Sequence, residues 1–302
     1  MQTGDPAPRR PRQGYLSPLR YPGGKARFTP FIKGLIRAQK PRPTVYAEPF
    51  AGGAGAALQL LVDEVVESIR INDLSPGIAA MWRAVFQQAD AFARRIETEP
   101  VTLEAWHQHR DVYLNPGGRD DLTLGFSTFF LNRCNRSGIL TARPIGGLNQ
   151  DGNWKIDARY TRTELAGRIR YLGQFRRRVR LSQLDARDFI RDLEADADKV
   201  LLYIDPPYIG PGDQLYLDKL SFEDHRELAG LLLDTELRWF LTYDVDERIT
   251  DDLYPNLRCA QFNIKHTAQT QHIGTEYAVF GDEIKVPSLD ILPRETGHWV
   301  IA

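Results

Sequence analysis

Residues 199–208 read Lys199-Val200-Leu201-Leu202-Tyr203-Ile204-Asp205-Pro206-Pro207-Tyr208. The run from Val200 to Ile204 is short, apolar and flanked by charge, which is the pattern of a buried strand. It stops at an acid and two prolines. Proline has no N–H to give a ladder and fixes its own φ, so the strand cannot continue through them. Asp205 is therefore delivered at a strand's carboxyl end, stiffened by two rings and followed by an aromatic side chain. In open α/β sheets, ligands bind at that edge. The grouping suits a planar, amine-bearing ring: carboxylate and carbonyl accept from the amine while the tyrosine stacks on the ring. An ordinary strand-ending turn is the alternative, and the tetrapeptide alone does not decide between them.

The same rhythm extends on both sides. Residues 179–185, VRLSQLD, read as a strand and 186–195, ARDFIRDLEA, as a helix. Ser221 with Asp224 forms a helix start, residues 238–244 (RWFLTYD) a strand, 247–254 a short helix, and AQFNIK with EYAVFGDEI a closing hairpin. The tail from Pro287 has no clear period. Upstream, Phe28, Phe31, Ile32, Leu35 and Ile36 have helical spacing, and Pro41 and Pro43 close that helix. Val45-Tyr46-Ala47 then leads into Glu48-Pro49-Phe50-Ala51-Gly52-Gly53-Ala54-Gly55 and an apolar helix, the layout of a nucleotide-type cofactor loop. No Gly-Lys-Ser/Thr follows, and the spacing differs from the dinucleotide fingerprint, so by itself the turn is a weak signal. A second strand, Ser68 to Asn72, ends at Asp73, eighteen residues beyond Gly55. An acid about that far past a glycine loop is the usual partner of ribose hydroxyls; a helix-capping role is the alternative, since Ser75-Pro76 and an apolar helix follow.

Residues 77–180 change character. Helical runs cover 77–97, 103–114 and 123–134, followed by a polar loop with glycines and aromatics at 141–160. Thr161 to Glu164 has the capping-box pattern before a further helix, whose exit is crowded by Arg176, Arg177, Arg178 and Arg180. The expected organisation is a flexible arm over 1–14, an α/β sheet domain from 15–80 and 181–302, and a mainly helical insert over 81–180.

Composition bounds the class. The 302 residues are 42% hydrophobic and 26% charged, with a mean hydropathy of −0.40, as in a globular protein. No apolar run approaches the roughly 20 residues of a membrane span, and the Pro/Arg-rich start lacks the apolar core of a secretory signal. Cys134 and Cys259 have no CxxC context and are expected as free thiols in a reducing, cytoplasmic setting. The net charge of −1 hides an asymmetry: residues 81–180 carry seventeen basic and ten acidic side chains, residues 181–302 eleven and twenty-four. A basic face for a polyanion on an acidic body follows from that count. No metal cluster is expected; His107 and His109, two apart on a helix, point away from each other and read as surface residues.

Taken together, LRYPGGK, EPFAGGAG, the strand ending Ile71-Asn72-Asp73, LNRCNRSGI and Asp205-Pro206-Pro207-Tyr208 stand in an order that resembles the Dam-type (D12 class) DNA adenine N6-methyltransferases over roughly residues 16–280. The resemblance implies a Rossmann-like methyltransferase mixed sheet carrying a target-recognition insert. The implied cofactor is S-adenosylmethionine and the implied partner is double-stranded DNA. By the same resemblance Tyr21 and Lys25 serve the methionine end of the cofactor and the substrate side, Glu48, Pro49, Phe50 and Gly52 the cofactor loop, and Asp73 the ribose. By a looser match Asp188 and Phe189 sit near the cofactor's adenine, with a helix-start acid as the alternative for Asp188. Asp205 through Tyr208 form the catalytic motif.

The chemistry agrees with the family. Adenine's exocyclic amine is a weak nucleophile because its lone pair is delocalised, and acceptance of its protons by Asp205 and the Pro206 carbonyl favours the attacking form. Whether Asp205 is a full base is left open. The target base has to leave the duplex, at a cost of a few kcal/mol. Arg133, Asn135 and Arg136 are the expected DNA contacts in the insert, since Arg and Asn read guanine and adenine through paired hydrogen bonds; Arg176, Arg177 and Arg178 suit phosphates. The run after Cys134 departs from family members that read GATC, so the recognised sequence is open, as is pairing with a restriction nuclease. A monomer is expected, with a dimer left open. Methylation of RNA or of cytosine N4, and a silent DNA-binding or cofactor-sensing role, are the competing readings.

Overall fold

The computed structural model describes residues 16–20, 25–209, 220–266 and 272–302, apart from the side chains of 265, 266, 272 and 273. They fall into two compact units, one of residues 16–20 with 76–179 and one of 25–75 with the described residues from 180 on.

The second unit is built on one sheet. Its strands are β1 (Val45–Glu48), β2 (Ser68–Asn72), β3 (Val179–Ser182), β4 (Val200–Ile204), β5 (Arg238–Asp244), β6 (Arg258–His266), β7 (His272–Phe280) and β8 (His298–Ile301), in the order β3-β2-β1-β4-β5-β7-β6-β8. β1 runs parallel to β2 and β4, and β4 parallel to β5; β7 is antiparallel to β5 and β6, and β8 to β6. β1 and β4 are buried along their whole length, which explains their unbroken apolar runs: parallel strands covered on both faces have no solvent side to alternate with. The left half matches the doubly wound order. The reversed β6–β7 hairpin separates this sheet from the all-parallel dinucleotide-binding type. Strand order changes direction between β1 and β4, so the carboxyl ends of those two strands form the crevice where such sheets bind ligands.

Both faces are covered within the unit. On one side α8 (Ala186–Leu193) and α9 (Phe222–Asp234) bury Ile190, Leu193, Leu228 and Leu232 against Leu202, Ile204, Trp239 and Leu241. On the other, Phe31 of α1 (Thr29–Ala38) meets the rings of Phe240 and Phe280 edge-on, and Tyr203 stacks on Phe240 at 4.6 Å. The capping box read at Ser221 and Asp224 is present. The tail without period supplies β8, and residues 249–253 form a turn of π-helix.

The first unit is helical: α3 (Pro76–Gln87), α4 (Ala89–Thr98), α5 (Leu103–Leu114), α6 (Asp121–Cys134) and α7 (Arg162–Gly173). The run read as one helix over 77–97 breaks at Gln88, where φ is −131° and ψ 36°. α6 is apolar around most of its circumference and buries Phe126, Phe129, Phe130 and Leu131 at the centre.

Three expectations change here. Residues 16–20 belong with the helices rather than the sheet domain, and so do 76–80. The reason for the first is specific: Asn132 donates to the Arg20 carbonyl at 2.9 Å and accepts from the Arg20 amide at 2.7 Å, while Arg168 donates to the Ser17 carbonyl. The capping box at Thr161 does not form: its hydroxyl donates to the Glu164 carboxylate but accepts no backbone N–H, and its ψ of 88° is not the extended value of a cap residue. His109 is not on the surface. It is buried, with Nδ1 2.9 Å from the Ser127 hydroxyl and Nε2 3.1 Å from Glu99, and burial holds it down at about 4 against the pull of Glu99. His107 is exposed as expected.

Candidate active site

β4 ends at Ile204, and the chain leaves the sheet through Asp205, Pro206 and Pro207. Asp205 Oδ1 accepts from the Thr242 hydroxyl on neighbouring β5 at 3.1 Å and lies 3.0 Å from the Lys25 Nζ. Thr242 is in turn 2.8 Å from the Tyr203 hydroxyl, so the carboxylate is anchored to both strands beneath it. Lys25 reaches a second acid, Glu276 of β7, at 3.6 Å, and the Tyr208 hydroxyl donates to the other oxygen of Glu276 at 3.0 Å. Burial alone would favour a neutral amine on Lys25, but the facing Asp205 and Glu276 carboxylates outweigh it and hold the ammonium well above its usual range. Lys25, Asp205 and Tyr208, singled out from the sequence, thus share one hydrogen-bonded network. Tyr21 lies outside the described residues.

The glycine loop is built at the adjacent strand ends. Glu48 closes β1, and Pro49 and Gly52 are buried. Gly52 has φ +45° and Ala54 φ +46°, a left-handed pair that swings the chain back into α2 (Gly55–Val62). Asp73 ties this turn down: Oδ2 accepts from the Gly52 amide at 2.9 Å and Oδ1 from the Ser75 amide at 3.0 Å. Its neighbour Asn72 does as much. The Asn72 amide donates to the Pro49 and Leu184 carbonyls, and its oxygen accepts from the Ser182 hydroxyl and the Leu184 amide. Glu48 is buried with Oε1 unpartnered among the described residues. Burial pushes it up to about 8, and the nearby Asp205 carboxylate works in the same direction. Phe50 packs at the edge of the core. Asp188 has the surroundings of the helix-start alternative: it is exposed in the first turn of α8 and paired with Arg191 at 2.7 Å, while Phe189 is buried in the core.

In the helical unit, the residues expected to touch DNA separate into two groups. Asn135 is fully buried and its amide is spent, donating to the Ile139 and Leu140 carbonyls and accepting from the Trp106 indole at 2.7 Å. Both of its donor hydrogens and its oxygen are thus engaged in the loop after α6 and by α5. Arg133 donates to the Arg159 carbonyl through Nε at 2.8 Å, so its guanidinium is committed to the chain as well. Burial, with Arg20 and Arg168 nearby, lowers it to about 10. Arg136, Arg176 and Arg177 are exposed, and Arg178 is half-buried. Sequence reading passed over Trp154, which is 72% exposed. Around it the loop is rigidly built: Gln150 donates to the Ile145 and Gly147 carbonyls, and Lys155 to those of Gln150 and Gly152.

Thr242, Glu276 and Asn72 were also missed. Each is a polar side chain in a buried strand, and a buried polar group needs a partner; that was the available signal. Among the described residues no group of acids, histidines or cysteines could hold a metal ion, and no helix is long and apolar enough to cross a membrane.

The glycine loop after β1, Asp73 after β2 and the Asp205 turn after β4 thus all lie at the carboxyl ends of neighbouring parallel strands, the ligand-binding edge of a doubly wound α/β sheet. The chain belongs to the family of D12 class N6 adenine-specific DNA methyltransferases, whose model matches residues 21–273. Comparison with curated proteins found no match. Among solved structures, the rRNA methyltransferase aviRa from Streptomyces viridochromogenes is similar at 14% identity over 86% of each chain, with a TM-score of 0.36. Protein LPL1258 from Legionella pneumophila str. Philadelphia 1 is similar at 12% over 89% of each, also with a TM-score of 0.36. Likeness this loose carries no argument about substrate.

Proposed function

We propose that the sheet unit transfers a methyl group from S-adenosylmethionine to the N6 amine of an adenine in double-stranded DNA, with the base turned out of the helix, and that the helical unit carries the DNA contacts. The observation that supports this most is the anchoring of Asp205. Lys25 and Thr242 both hold Oδ1, which leaves Oδ2 to accept an amine proton without giving up an existing bond. The carbonyl of Pro206 offers the second acceptor, and Tyr208, its hydroxyl fixed by Glu276, offers a ring to stack on the base.

The residues at the glycine loop fit the methyl donor. Glu48 has a buried, unpartnered oxygen suited to a cationic ligand, Asp73 is placed to accept from hydroxyls while it shapes the turn, and Gly52 and Gly53 let the backbone come close. When bound, S-adenosylmethionine supplies a methyl already activated on a sulfonium. The protein's part is then orientation and acceptance of protons, and correct in-line placement accounts for much of the rate.

For DNA, the charge distribution supports the helical unit. Residues 1–21 and 76–179 carry twenty basic and eleven acidic side chains, the remainder nineteen and twenty-nine. Arg136, Arg176 and Arg177 are the exposed candidates for phosphate or base contact, and Trp154 an exposed aromatic for stacking. Arg133 and Asn135 are left out of that set, since their side chains are used within the unit.

The test is a methyl-incorporation assay with labelled donor and mixed-sequence duplex DNA, followed by nucleoside analysis. The expected product is N6-methyladenine in DNA, with incorporation by Asp205→Ala lower by about 10²–10³-fold, the loss when a preorganised contact to the reacting group is removed. Incorporation into RNA alone, label on cytosine, or no excess over Asp205→Ala would each overturn the reading.

A further inference from the structure

Glu276 stands opposite Asp244 in the β5–β7 register and is fully buried. One of its oxygens, Oε1, is used by Tyr208 at 3.0 Å. The other, Oε2, has no hydrogen-bond partner among the described residues and lies 3.6 Å from the Lys25 ammonium, which is itself 3.0 Å from Asp205. Oε2 therefore faces a lysine that is already paired more closely with another acid. Beyond that ammonium it meets no donor among the described residues, which leaves it able to accept a proton.

The reaction creates a need for such an acceptor. Attack by the adenine amine leaves N6 with its methyl, both of its protons and a positive charge, and one proton has to go. We propose that Glu276 is the final acceptor of that proton, reached through Asp205 and Lys25. This rests on the reading of Asp205 as the group that meets the amine. The N6–methyl bond forms as the sulfur–methyl bond breaks, with the electron pair staying on sulfur. One N6 proton passes to Asp205. The Asp205 carboxyl then turns to bring that proton to Lys25, which hands one of its own to Glu276 Oε2 as it takes the one on Asp205, so it begins and ends as an ammonium. Asp205 ends as a carboxylate, ready for another amine, and Glu276 as a carboxylic acid that later returns its proton to solvent.

The groups facing Glu276 are Lys25, Tyr208 and Asp205, with Asp244 on the paired strand. Burial raises its proton affinity, Lys25 and Tyr208 oppose this, Asp205 and Asp244 add to it, and the balance is a carboxyl that holds a proton more readily than an ordinary glutamate. That is the property a terminal acceptor needs.

Glu276→Gln separates this role from a structural one, because glutamine keeps the volume and the acceptor for Tyr208 but cannot take a proton. Single-turnover methylation of a duplex that the wild type modifies would be followed from pH 6 to 9. Donor binding by calorimetry and thermal melting would be measured alongside. The expected result is a rate at least 10-fold below wild type at pH 7 that climbs with pH, as solvent base replaces Glu276. Wild type stays nearly level over the same range, and donor affinity changes by less than twofold. Superimposable profiles would overturn the proposal. A second measurement stands apart from activity and from the variant's folding: in 13C spectra of side-chain-labelled wild-type protein, the Glu276 carboxyl should titrate above the ordinary glutamate range. Titration within the ordinary range overturns the proposal too. A wild type that methylates no DNA sinks the reading of Asp205 instead, and the carboxyl titration still decides whether Glu276 can hold the proton.

Discussion

Lys25 is a buried cation between two carboxylates, 3.0 Å from one and 3.6 Å from the other. Its loss is therefore different from the loss of a surface charge. An exposed ion pair is worth a few tenths of a kcal/mol, whereas removing one partner of a buried pair strands the remaining charge. In Lys25→Met, Asp205 and Glu276 are left facing each other with burial already favouring protonation of Glu276. A carboxyl whose folded pKa is raised contributes stability below its unfolded pKa and loses it as pH rises through the folded value. Lys25→Met should therefore cost about 2–4 kcal/mol at pH 8, at the lower end of the buried-pair range because Asp205 is partly exposed, and clearly less at pH 5. Urea unfolding at the two pH values checks this, and an equal cost at both would show that the cation does not serve as a counter-charge. Residue type alone misleads at Asn135 for a related reason. Its amide was read as a base reader because Asn can pair with adenine, yet the Trp106 indole and two carbonyls already claim it. Burial and partners decide what a side chain has left to offer, and they are not written in the local sequence.

Between elements, close approach sets the packing. Gly125 of α6 sits where an added Cβ would lie 2.6 Å from the Met81 backbone of α3, and Gly34 of α1 sits where nothing lies within 4 Å. The two glycines are alike in sequence context, each inside an apolar-periodic helix, and opposite in consequence. Gly125→Ala has to push two helices apart and should destabilise the helical unit by about 1–3 kcal/mol or more, the overpacking range. Gly34→Ala should stabilise by about 0.5–1 kcal/mol, since alanine is the better helix former and meets no neighbour. Melting of the two variants against wild type tests both signs at once. Such pairs also mark how far elements could be read in advance. β4 announces itself because two-sided burial makes an unbroken apolar run, β1 and β5 because they are largely apolar and end in an acid, and α9 because Ser221 and Asp224 form a real capping box. At Thr161 the same pattern fails where the backbone differs, with ψ 88° against 163° at Ser221. Asp205 and the glycine loop were legible as acids and glycines at strand ends. Glu276 and Thr242 were not, because what makes them matter is the placement of β5 and β7 beside β4 and Lys25, a pairing of distant segments that periodicity does not encode. His109 was read as exposed from its spacing to His107, when the face that counts is the one α5 turns toward Ser127 of α6.

Across the whole molecule, each unit buries a histidine and the sheet unit adds buried carboxyls, and this makes their stabilities diverge with pH. His109 in the helical unit is held down at about 4 by burial, so the unfolded chain binds a proton below about 6.5 that the folded unit refuses. Stability there is full above that value and is lost as pH falls from 6.5 toward 4. His225 in the sheet unit, also lowered to about 4, behaves alike. The sheet unit adds Glu48, raised to about 8 by burial, and Glu276, raised as well. Between the ordinary carboxylate range and pH 8 the folded sheet unit keeps a proton on Glu48 that the unfolded chain has released, so its stability falls as pH rises through that window. From pH 6.5 to 8 the folded histidines are neutral and each unfolded one gives up only its last half-proton, worth about 0.4 kcal/mol, so the carboxyls set the slope of the sheet unit. One extra bound proton over 1.5 pH units amounts to about 2 kcal/mol. Hydrogen exchange, corrected for the intrinsic pH dependence, should show β4 and β5 peptides losing about that much protection from pH 6.5 to 8 without donor, while α6 peptides hold theirs. Glu48→Gln should remove most of the slope and leave α6 unchanged. A flat profile for β4 in the wild type would mean that Glu48 is ionised in the folded protein across this range. It would then meet the cationic methyl donor already charged, rather than release a proton on binding it.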